Sequence, residues 1–407
     1  MRKKVCFAGA YGINSQGDDA ALLAFVQGLR KRIGLFDGVV ISRHARENSY
    51  HKYDLRTIQN IEYDSKAESV GKWFRGFNYG DDRAHLKALQ EEILGSDLLV
   101  LGAGNFVIDI TIDLLRGPIP YLTILTLMAK MAGTPVMWFG MSVGPLVTRY
   151  GQHLSKLSAD LSDSITVRDN NSYDTLRKIG YQGGIEILPD PVLGLLPPSV
   201  EISHAQDCWR EAHKKSGPVI AVSVRSMPNG NVIGNEDYII TIADICNVLI
   251  QNYSANLLFI PHCTYEHGNL FEDDRYVASE IISKIVNKEK VVNVNESLSV
   301  EQCMSLYKNA SFSVCTRLHA NVYSAIQGVP AIAINYNPKV AGFMNWLEQG
   351  HLTLSLSDIS VKKIIPKVEM LLKKRDDMSK IILERVEEGR KEANRYIDIA
   401  EGLINRP

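Results

Sequence analysis

A chain of 407 residues is longer than one ordinary domain, so two domains are expected. Hydrophobic residues make up 45% of it and charged residues 22%, which suffices for a globular core without disulfide staples. The formal net charge of −1 argues against a general nucleic-acid binder, because contact with a phosphate backbone requires an excess of Lys and Arg.

The cysteines and the apolar segments indicate where the protein is expected to work. The six cysteines form no Cys-x-x-Cys pair, which argues against a disulfide framework or a zinc knuckle, and Cys6, Cys246 and Cys315 are predicted to be buried thiols. The basic start MRKKVCFAGAYG lacks a long apolar run, and the most apolar segment, 119–131, is too short to span a bilayer. We therefore expect a cytoplasmic protein with at most peripheral contact with the inner face of the membrane.

In the first half of the chain, short apolar runs alternate with segments whose apolar residues recur at helical spacing. The predicted strands cover residues 4–10, 38–42, 97–104, 134–144, 164–169 and 184–190, and the predicted helices cover about 22–33, 81–94, 119–131, 151–161 and 171–179. Residues 46–80 are polar, aromatic and irregular, and no element is assigned to them. The alternation predicts a parallel sheet covered by helices on both faces.

The same alternation restarts after the proline-rich stretch at 189–201, which we interpret as a linker between domains. Predicted strands cover 217–225, 256–262, 291–295, 311–315 and 329–335, and predicted helices cover 236–252, 272–288, 299–308, a segment from about 319 and the tail from 361. The predicted fold class is α/β, with two Rossmann-like doubly wound domains (1–195 and 196–375) that face a cleft. A C-terminal helix (376–407) is predicted to pack back on the first domain.

In open parallel sheets, ligands bind beyond the carboxyl ends of the strands, so polar residues just after each strand are the candidates for a site. Glycine-rich turns follow two strands of the first half, GAYGINSQGDDA at 9–20 and GAGNF at 102–106. Glycines leave backbone N–H groups open to a ligand, Asp18 and Asp19 suit a helix start, and Asn105 could hold a sugar hydroxyl. The spacing matches neither a dinucleotide-binding turn nor a P-loop, so each turn alone is explained as an ordinary strand-to-helix connection.

Two groups of potential metal ligands occur, and neither predicts a metal site. The first is the pair Asp109 and Asp113, which lacks a third ligand. The second follows the strand that ends at 262, and its members are His262, Cys263, Glu266, His267, Asp273 and Asp274. Its spacing matches no established ligand pattern, so we interpret it as a polar wall of the cleft. No metal and no cofactor are expected.

Arginines end one predicted strand in each half of the chain, Arg168 in SITVR and Arg225 in VIAVSVR. For either arginine alone, a salt bridge to a neighbouring acid such as Asp169 is an equal alternative to a ligand contact. Two arginines at strand ends in separate domains favour an anion clamp.

The stretch SVCTRLHANVYSAIQGVPAIAINYNPK (313–339) places three basic side chains around one helix start. A buried strand is followed by Thr316 as a candidate N-cap, with Arg317 and His319 in the first helical turn. Asn337, Pro338 and Lys339 are expected to form a turn at the end of the next strand, which is expected to be the neighbour of the first in the sheet. A helix N-terminus with an arginine and a lysine suits a phosphate and a carboxylate, and His319 beside them could act as general acid or base.

Over nearly its whole length the sequence resembles the polysaccharide pyruvyl transferase family. The features that carry the resemblance are the turn GAYGINSQGDDA, the segments LVLGAGNF, ITVRDNNSYDTLRKIGY and ILPDPVLGL, the strand ending in Arg225, the PH…DD segment (261–274) and, most specifically, RLH, GVP and the following lysine within 317–339. The sequence departs from the family at GAGN, where a longer glycine run is common, and at 46–80, which matches no recognised pattern.

The resemblance implies a two-domain fold like that of GT-B glycosyltransferases. It also implies an enzyme that moves the enolpyruvyl group of phosphoenolpyruvate onto a glycan hydroxyl pair as a pyruvate ketal, in surface or exopolysaccharide biosynthesis. The matching positions imply His319 as acid or base, Arg317, Lys339, Arg225 and Arg168 as contacts for phosphoenolpyruvate, and Asn14, Asp18 and Asn105 as contacts for a glycan or lipid-linked sugar acceptor. Two alternatives stay open: a GT-B glycosyltransferase with a nucleotide-sugar donor, and a protein that binds an anion without turnover.

Overall fold

The computed structural model describes residues 2–47, 49–65, 68–109, 116–198, 202–227, 233–265 and 272–406, and the chain divides into two compact units. Unit 1 comprises Met1–Leu195 with Gly389–Pro407, and unit 2 comprises Leu196–Glu388. Each unit contains a parallel sheet with helices between its strands, so the predicted α/β class is confirmed.

Unit 1 is built on a parallel sheet. Its described strands are β1 (Lys4–Ala8), β2 (Asp37–Ser42), β3 (Arg56–Gln59), β4 (Leu98–Val107), β5 (Val136–Val143), β6 (Ser164–Val167) and β7 (Glu186–Ile187), and its described helices are α1 (Gln16–Ile33), α2 (Ala84–Leu94), α3 (Pro118–Ala132), α4 (Arg149–Leu161) and α5 (Asn170–Lys178). The strand order is β3-β2-β1-β4-β5-β6-β7. Every residue of β5 is buried, as expected for a sheet covered on both faces.

Unit 2 repeats this plan. Its described strands are β8 (Val219–Ser223), β9 (Asn256–Phe259), β10 (Val291–Asn293), β11 (Phe312–Cys315), β12 (Ala331–Asn335) and β13 (Thr353–Ser355), and its described helices are α6 (Ser203–Ala212), α7 (Asn235–Tyr253), α8 (Asp274–Ser283), α9 (Val300–Ser305), α10 (Leu318–Ile326) and α11 (Pro338–Trp346). The strands are parallel in the order β10-β9-β8-β11-β12-β13. All residues of β8 and β11 are buried, which explains their continuous apolar sequences.

The C-terminal helix α12 (Val361–Ile404) contributes to both units. In unit 2, Ser379 Oγ donates a hydrogen bond of 2.6 Å to the carbonyl of Gly328. In unit 1, the Tyr396 ring meets Phe139 edge-on, with 4.9 Å between the ring centroids. Residues 376–388, which belong to the predicted C-terminal segment, group with unit 2.

Several elements differ from the sequence prediction. β3 lies within the unassigned region 46–80, the segment predicted as a strand over 184–190 pairs only at Glu186–Ile187, and α6, α11 and β13 were not predicted. A turn was expected at Asn337, Pro338 and Lys339, but these residues begin α11, since the Asn337 side chain accepts from Lys339 N and Pro338 occupies the first helical position. Cys6, Cys246 and Cys315 are buried, as predicted. Within the described residues no helix is long and apolar enough to cross a membrane.

Candidate functional site

Each sheet has one point where the direction of strand succession reverses, between β1 and β4 in unit 1 and between β8 and β11 in unit 2. Ligands of open parallel sheets bind at such points, beyond the carboxyl ends of the strands. Most of the predicted site residues follow these four strands and their immediate neighbours.

The register of unit 2 aligns the residues that follow its central strands. Continued past the strand ends, the pairing of β8 with β9 and with β11 places Arg225 between His262 and Arg317. β12 pairs with the other side of β11 and leads into Tyr336 and Lys339. Five polar side chains from four neighbouring strand ends therefore lie along one edge of the sheet.

Arg317 is held in place by Asp274, the first residue of α8. The Arg317 Nε lies 3.2 Å from Oδ1 and 3.1 Å from Oδ2 of this carboxylate. The same carboxylate accepts hydrogen bonds of 3.0 Å from the backbone N–H groups of His262 and Cys263. Asp274 is 2% exposed, whereas 22% of the Arg317 side chain remains exposed. The contact fixes the guanidinium while part of the Arg317 side chain stays exposed.

The predicted cap of α10 is wrong. Arg317, not Thr316, is the N-cap residue, and its side chain makes no capping bond. Thr316 is fully buried, and its hydroxyl lies 2.7 Å from the Tyr238 hydroxyl, so it anchors the strand end on α7 instead.

Tyr336 marks the place where the predicted cations converge. The guanidinium carbon of Arg225 lies 4.5 Å from the centroid of the Tyr336 ring. Burial on its own would raise the pKa of Tyr336, but the positive charges of Lys339, Arg225 and Arg317 outweigh burial and lower this pKa to about 8. In the part of the chain that the structure describes, Arg225 forms no ion pair with a carboxylate. The structure thus brings Arg225, Arg317 and Lys339 together around one tyrosine that the sequence reasoning missed.

His319 lies half-buried in the first turn of α10, and its charge acts on the imidazole of His262. The His262 ring is 4% exposed, and its Nε2 lies 2.7 Å from the Tyr307 hydroxyl. Burial, followed by the charges of His319 and Arg317, lowers the pKa of His262 well below 6.5, so this imidazole is neutral at physiological pH. His262 therefore borders the site as a buried, uncharged group.

A metal centre is not found among the described residues, in which no three His, Cys, Asp or Glu side chains are grouped to hold an ion. Asp109 is buried and anchors a loop, accepting hydrogen bonds from the backbone N–H groups of Val147 (2.9 Å) and Thr148 (2.8 Å). Three members of the two groups of potential metal ligands lie outside the described residues, namely Asp113, Glu266 and His267.

A cavity of about 580 Å³ in unit 2 lies away from these residues. It is lined by α6 and by residues that precede β11, including Trp209, Lys308 and Asn309, at the amino end of that strand. The cavity therefore lies at the opposite end of β11 from Arg317.

The glycine turns of unit 1 pack closely around two carboxylates. Gly104 has φ +106°, and a Cβ atom there would lie 2.5 Å from Asp18 Oδ1, so only glycine allows this approach. The Tyr50 hydroxyl accepts from Gly12 N (2.9 Å) and donates to Asp19 Oδ1 (2.6 Å). Desolvation raises the pKa of Asp19 to about 7; the charge of Asp18 acts in the same direction, and the bond from Tyr50 opposes it. Tyr50 belongs to the region that the sequence left unassigned.

The predicted acceptor contacts lie near the carboxyl ends of β1 and β4. Asn14 is half-buried in the turn that follows β1, with a left-handed backbone of φ 49°, and Asp18 is half-buried in the first turn of α1. The turn expected at 102–106 is not found, because these residues continue β4, on which Asn105 is exposed. Their contact with an acceptor stays a prediction.

Arg168 is bound within unit 1. Its Nη1 lies 3.0 Å from Asp190 Oδ2, with 5% and 7% of the two side chains exposed, and its Nε donates to Ser142 Oγ at 2.7 Å. The acid that neutralises it is not the neighbouring Asp169 but Asp190, 22 residues further on. This pairing favours a structural role for Arg168 over the anion contact predicted for it.

The fold belongs to a class of two-unit α/β architectures, and it is similar to the solved structures of a glycosyltransferase and of a sugar epimerase. A glycosyltransferase from Rickettsia africae aligns with a TM-score of 0.63 and 11% identity over 100% of both chains. The UDP-GlcNAc 2-epimerase from Methanocaldococcus jannaschii aligns with a TM-score of 0.58 and 13% identity over 92% of this chain and 93% of its own. These similarities confirm the GT-B-like fold.

The chain belongs to the polysaccharide pyruvyl transferase family, whose model matches residues 17–338. Among curated relatives, the amylovoran biosynthesis protein AmsJ of Erwinia amylovora is 22% identical over 410 residues, which is 95% of this chain and 96% of that protein. The predicted family and the prediction of a transferase are thereby confirmed.

Proposed function

We propose that this enzyme transfers the enolpyruvyl group of phosphoenolpyruvate to two hydroxyls of a glycan or lipid-linked sugar and closes it as a pyruvate ketal. The observation that carries the proposal is the convergence of Arg225, Arg317 and Lys339 at the carboxyl edge of the unit 2 sheet. Family membership and the similarity to an amylovoran biosynthesis protein support a role in making a surface or exported polysaccharide.

The charges of the site suit this donor. Phosphoenolpyruvate carries a phosphate and a carboxylate, and two arginines and a lysine supply both planar forks and a compact charge for them. Arg317 is the best prepared of the three, because Asp274 already fixes its guanidinium. We assign Lys339 and Arg317 to the phosphate and the carboxylate of the donor. Arg225 is assigned to an anionic oxygen of the donor that these two side chains leave free.

The reaction requires two kinds of proton transfer. The methylene carbon of the donor gains a proton, so that the neighbouring carbon becomes electrophilic, and the first acceptor hydroxyl loses its proton as it attacks. The second hydroxyl then displaces phosphate, which leaves with the bridging oxygen and accepts the last proton. His319, in the first turn of α10 beside these cations, is the proposed acid or base.

The proposed acceptor site lies at the segments of unit 1 that carry Asn14, Asp18 and Asn105, near the carboxyl ends of β1 and β4. Amide and carboxylate groups can exchange hydrogen bonds with sugar hydroxyls in both directions. The glycines of these segments let a ligand approach the backbone closely.

The test is incubation with phosphoenolpyruvate and lipid-linked or soluble glycans, with measurement of released phosphate and of product mass. Arg317→Ala and Lys339→Ala should each weaken donor binding more than tenfold, by about 1.5–3 kcal/mol for a lost charge-assisted contact. Lys284→Ala, at an exposed position of unit 2, is the matched control and should bind the donor normally. Normal donor affinity in both site variants would refute the proposal.

Two further results would favour the alternatives. No release of phosphate with any acceptor tested, together with tight binding of a nucleoside diphosphate, would indicate a nucleotide-sugar glycosyltransferase. His319→Ala should still bind the donor while losing product formation, and unchanged behaviour of this variant would indicate an anion-binding protein without turnover.

A further inference from the structure

Tyr336 is a second side chain at the donor site that can carry a proton. It directly follows β12 and precedes Asn337, the cap of α11, so its position is set by a strand end and a helix start. It is half-buried, and its ring lies against the guanidinium of Arg225. Two rigid elements thus hold the phenol next to the cations that are proposed to bind the donor.

The positive charges that act on Tyr336 come from three segments. They are Arg225 beyond β8, Arg317 at the start of α10 and Lys339 in α11. Asp274 of α8 is paired with Arg317, and Cys263 also acts electrostatically on this arginine. The three cations outweigh burial and hold the pKa of Tyr336 at about 8, so its proton is exchangeable near neutral pH. By contrast, burial raises the pKa of Tyr253, Tyr238 and Tyr396 above its ordinary value.

We propose that Tyr336 is the general acid of the site, whose hydroxyl donates the proton that the methylene carbon of the enolpyruvyl group gains. This inference rests on the proposed function. In the step, the phenolic O–H bond breaks, the electron pair of the C=C bond forms the new C–H bond, and the phenolate left behind is stabilised by Arg225, Arg317 and Lys339. The phenolate regains a proton from solvent before the next turnover.

Binding of the donor favours the protonated form of Tyr336. A bound phosphate and carboxylate offset the three cations, so the phenol is more fully protonated in the complex than in the free enzyme and holds the proton that it is to donate. With Tyr336 as the acid, His319 becomes the base that removes the proton of the acceptor hydroxyl.

The proton site can be measured without turnover. We compare the near-ultraviolet phenolate absorbance of the wild-type chain, Tyr336→Phe and the control Tyr253→Phe across pH. The wild type and the control should show a tyrosine that ionises with a midpoint of about 8, which Tyr336→Phe lacks. Saturating phosphoenolpyruvate or inorganic phosphate should move that midpoint upward by about one pH unit or more. An identical titration in all three proteins would overturn the proposal.

Turnover then tests the role itself. Tyr336→Phe should lower kcat by about 100-fold or more, leave the KM for phosphoenolpyruvate nearly unchanged, and lose the fall in kcat/KM that the wild type shows above about pH 8. A lost titration with unchanged kcat would refute the general acid. If phosphate shifted the midpoint of Tyr336 ionisation in the wild type but phosphoenolpyruvate were never turned over, the proposed function would fail. The proton transfer proposed for Tyr336 would fail with it, even though the residue had titrated as expected.

Discussion

Replacing Asp274 by asparagine removes the negative charge that holds Arg317. The carboxylate is 2% exposed and accepts from the Arg317 guanidinium and from two backbone N–H groups. Asparagine has nearly the same shape and keeps one oxygen for these donors. The substitution therefore isolates the charge, and with it the orientation of Arg317.

The expected cost follows from the burial of the pair. Removing one partner of a buried ion pair costs about 3–5 kcal/mol, because the other charge is left uncompensated. Since 22% of the Arg317 side chain can still reach water, we expect a cost somewhat below this range, about 2–3 kcal/mol. For a unit of this size, that loss corresponds to a fall in Tm of about 5–10 °C.

The assay combines scanning calorimetry with donor affinity. Asp274→Asn should unfold at lower temperature and bind phosphoenolpyruvate about tenfold more weakly, because Arg317 must be reoriented on binding. Asp273→Asn is the matched control. Asp273 caps α8 and pairs with Arg275, and asparagine is also a good cap, so this variant should lose less than about 1 kcal/mol and bind the donor normally.

Two results would refute this reasoning. Normal stability and donor affinity in Asp274→Asn would show that Asp274 does not hold Arg317. Equal losses in Asp274→Asn and Asp273→Asn would trace the effect to the start of α8 rather than to the arginine.

Three further predictions concern unit 1. Arg168→Met removes the cation that pairs with the buried Asp190 carboxylate, so the protein should lose about 3–5 kcal/mol by calorimetry with an unchanged donor KM. A raised KM at normal stability would restore the predicted anion contact. The pKa of Asp19 is about 7 in the folded chain against an ordinary 3.8, so its contribution to stability is complete below about pH 3.8 and is lost as the pH rises through 7. Asp19→Asn should remove this pH dependence, which amounts to on the order of 4 kcal/mol in denaturant titrations, and an equal pH dependence in the variant would contradict the prediction. Gly104→Ala places a Cβ toward Asp18 at φ +106°, so it should lower the free energy of unfolding by about 1–3 kcal/mol and raise the acceptor KM. Wild-type stability of this variant would show that the backbone at Gly104 is not constrained.

The main elements of the fold are predictable because buried parallel strands are continuously apolar and the helices between them keep their periodicity. The elements that escape prediction are short or lie at sheet edges. β3 has four residues with none buried, and β7 has two, so neither shows an apolar run. The start of α11 was read as a turn because asparagine followed by proline is common to turns and to helix N-termini.

The residues of the candidate site also divide into those that the sequence predicts and those that it does not. Arg225, Arg317 and Lys339 were found because each follows a buried strand, and that rule needs only local sequence. Asp274 was not paired with Arg317 from sequence, because the two residues are 43 positions apart and meet only through the sheet register. Tyr336 was overlooked because a tyrosine after a strand is unremarkable until three cations surround it.

The most direct test of the central claim is a reaction of the wild-type enzyme with phosphoenolpyruvate and a glycan acceptor, in which phosphate and product are measured together. One phosphate should be released for each pyruvate ketal formed on the glycan, and at subsaturating donor both signals should fall more than tenfold in Lys339→Ala and be retained in Lys284→Ala. Phosphate release without a ketal, or wild-type rates of ketal formation in Lys339→Ala under these conditions, would contradict the proposed function.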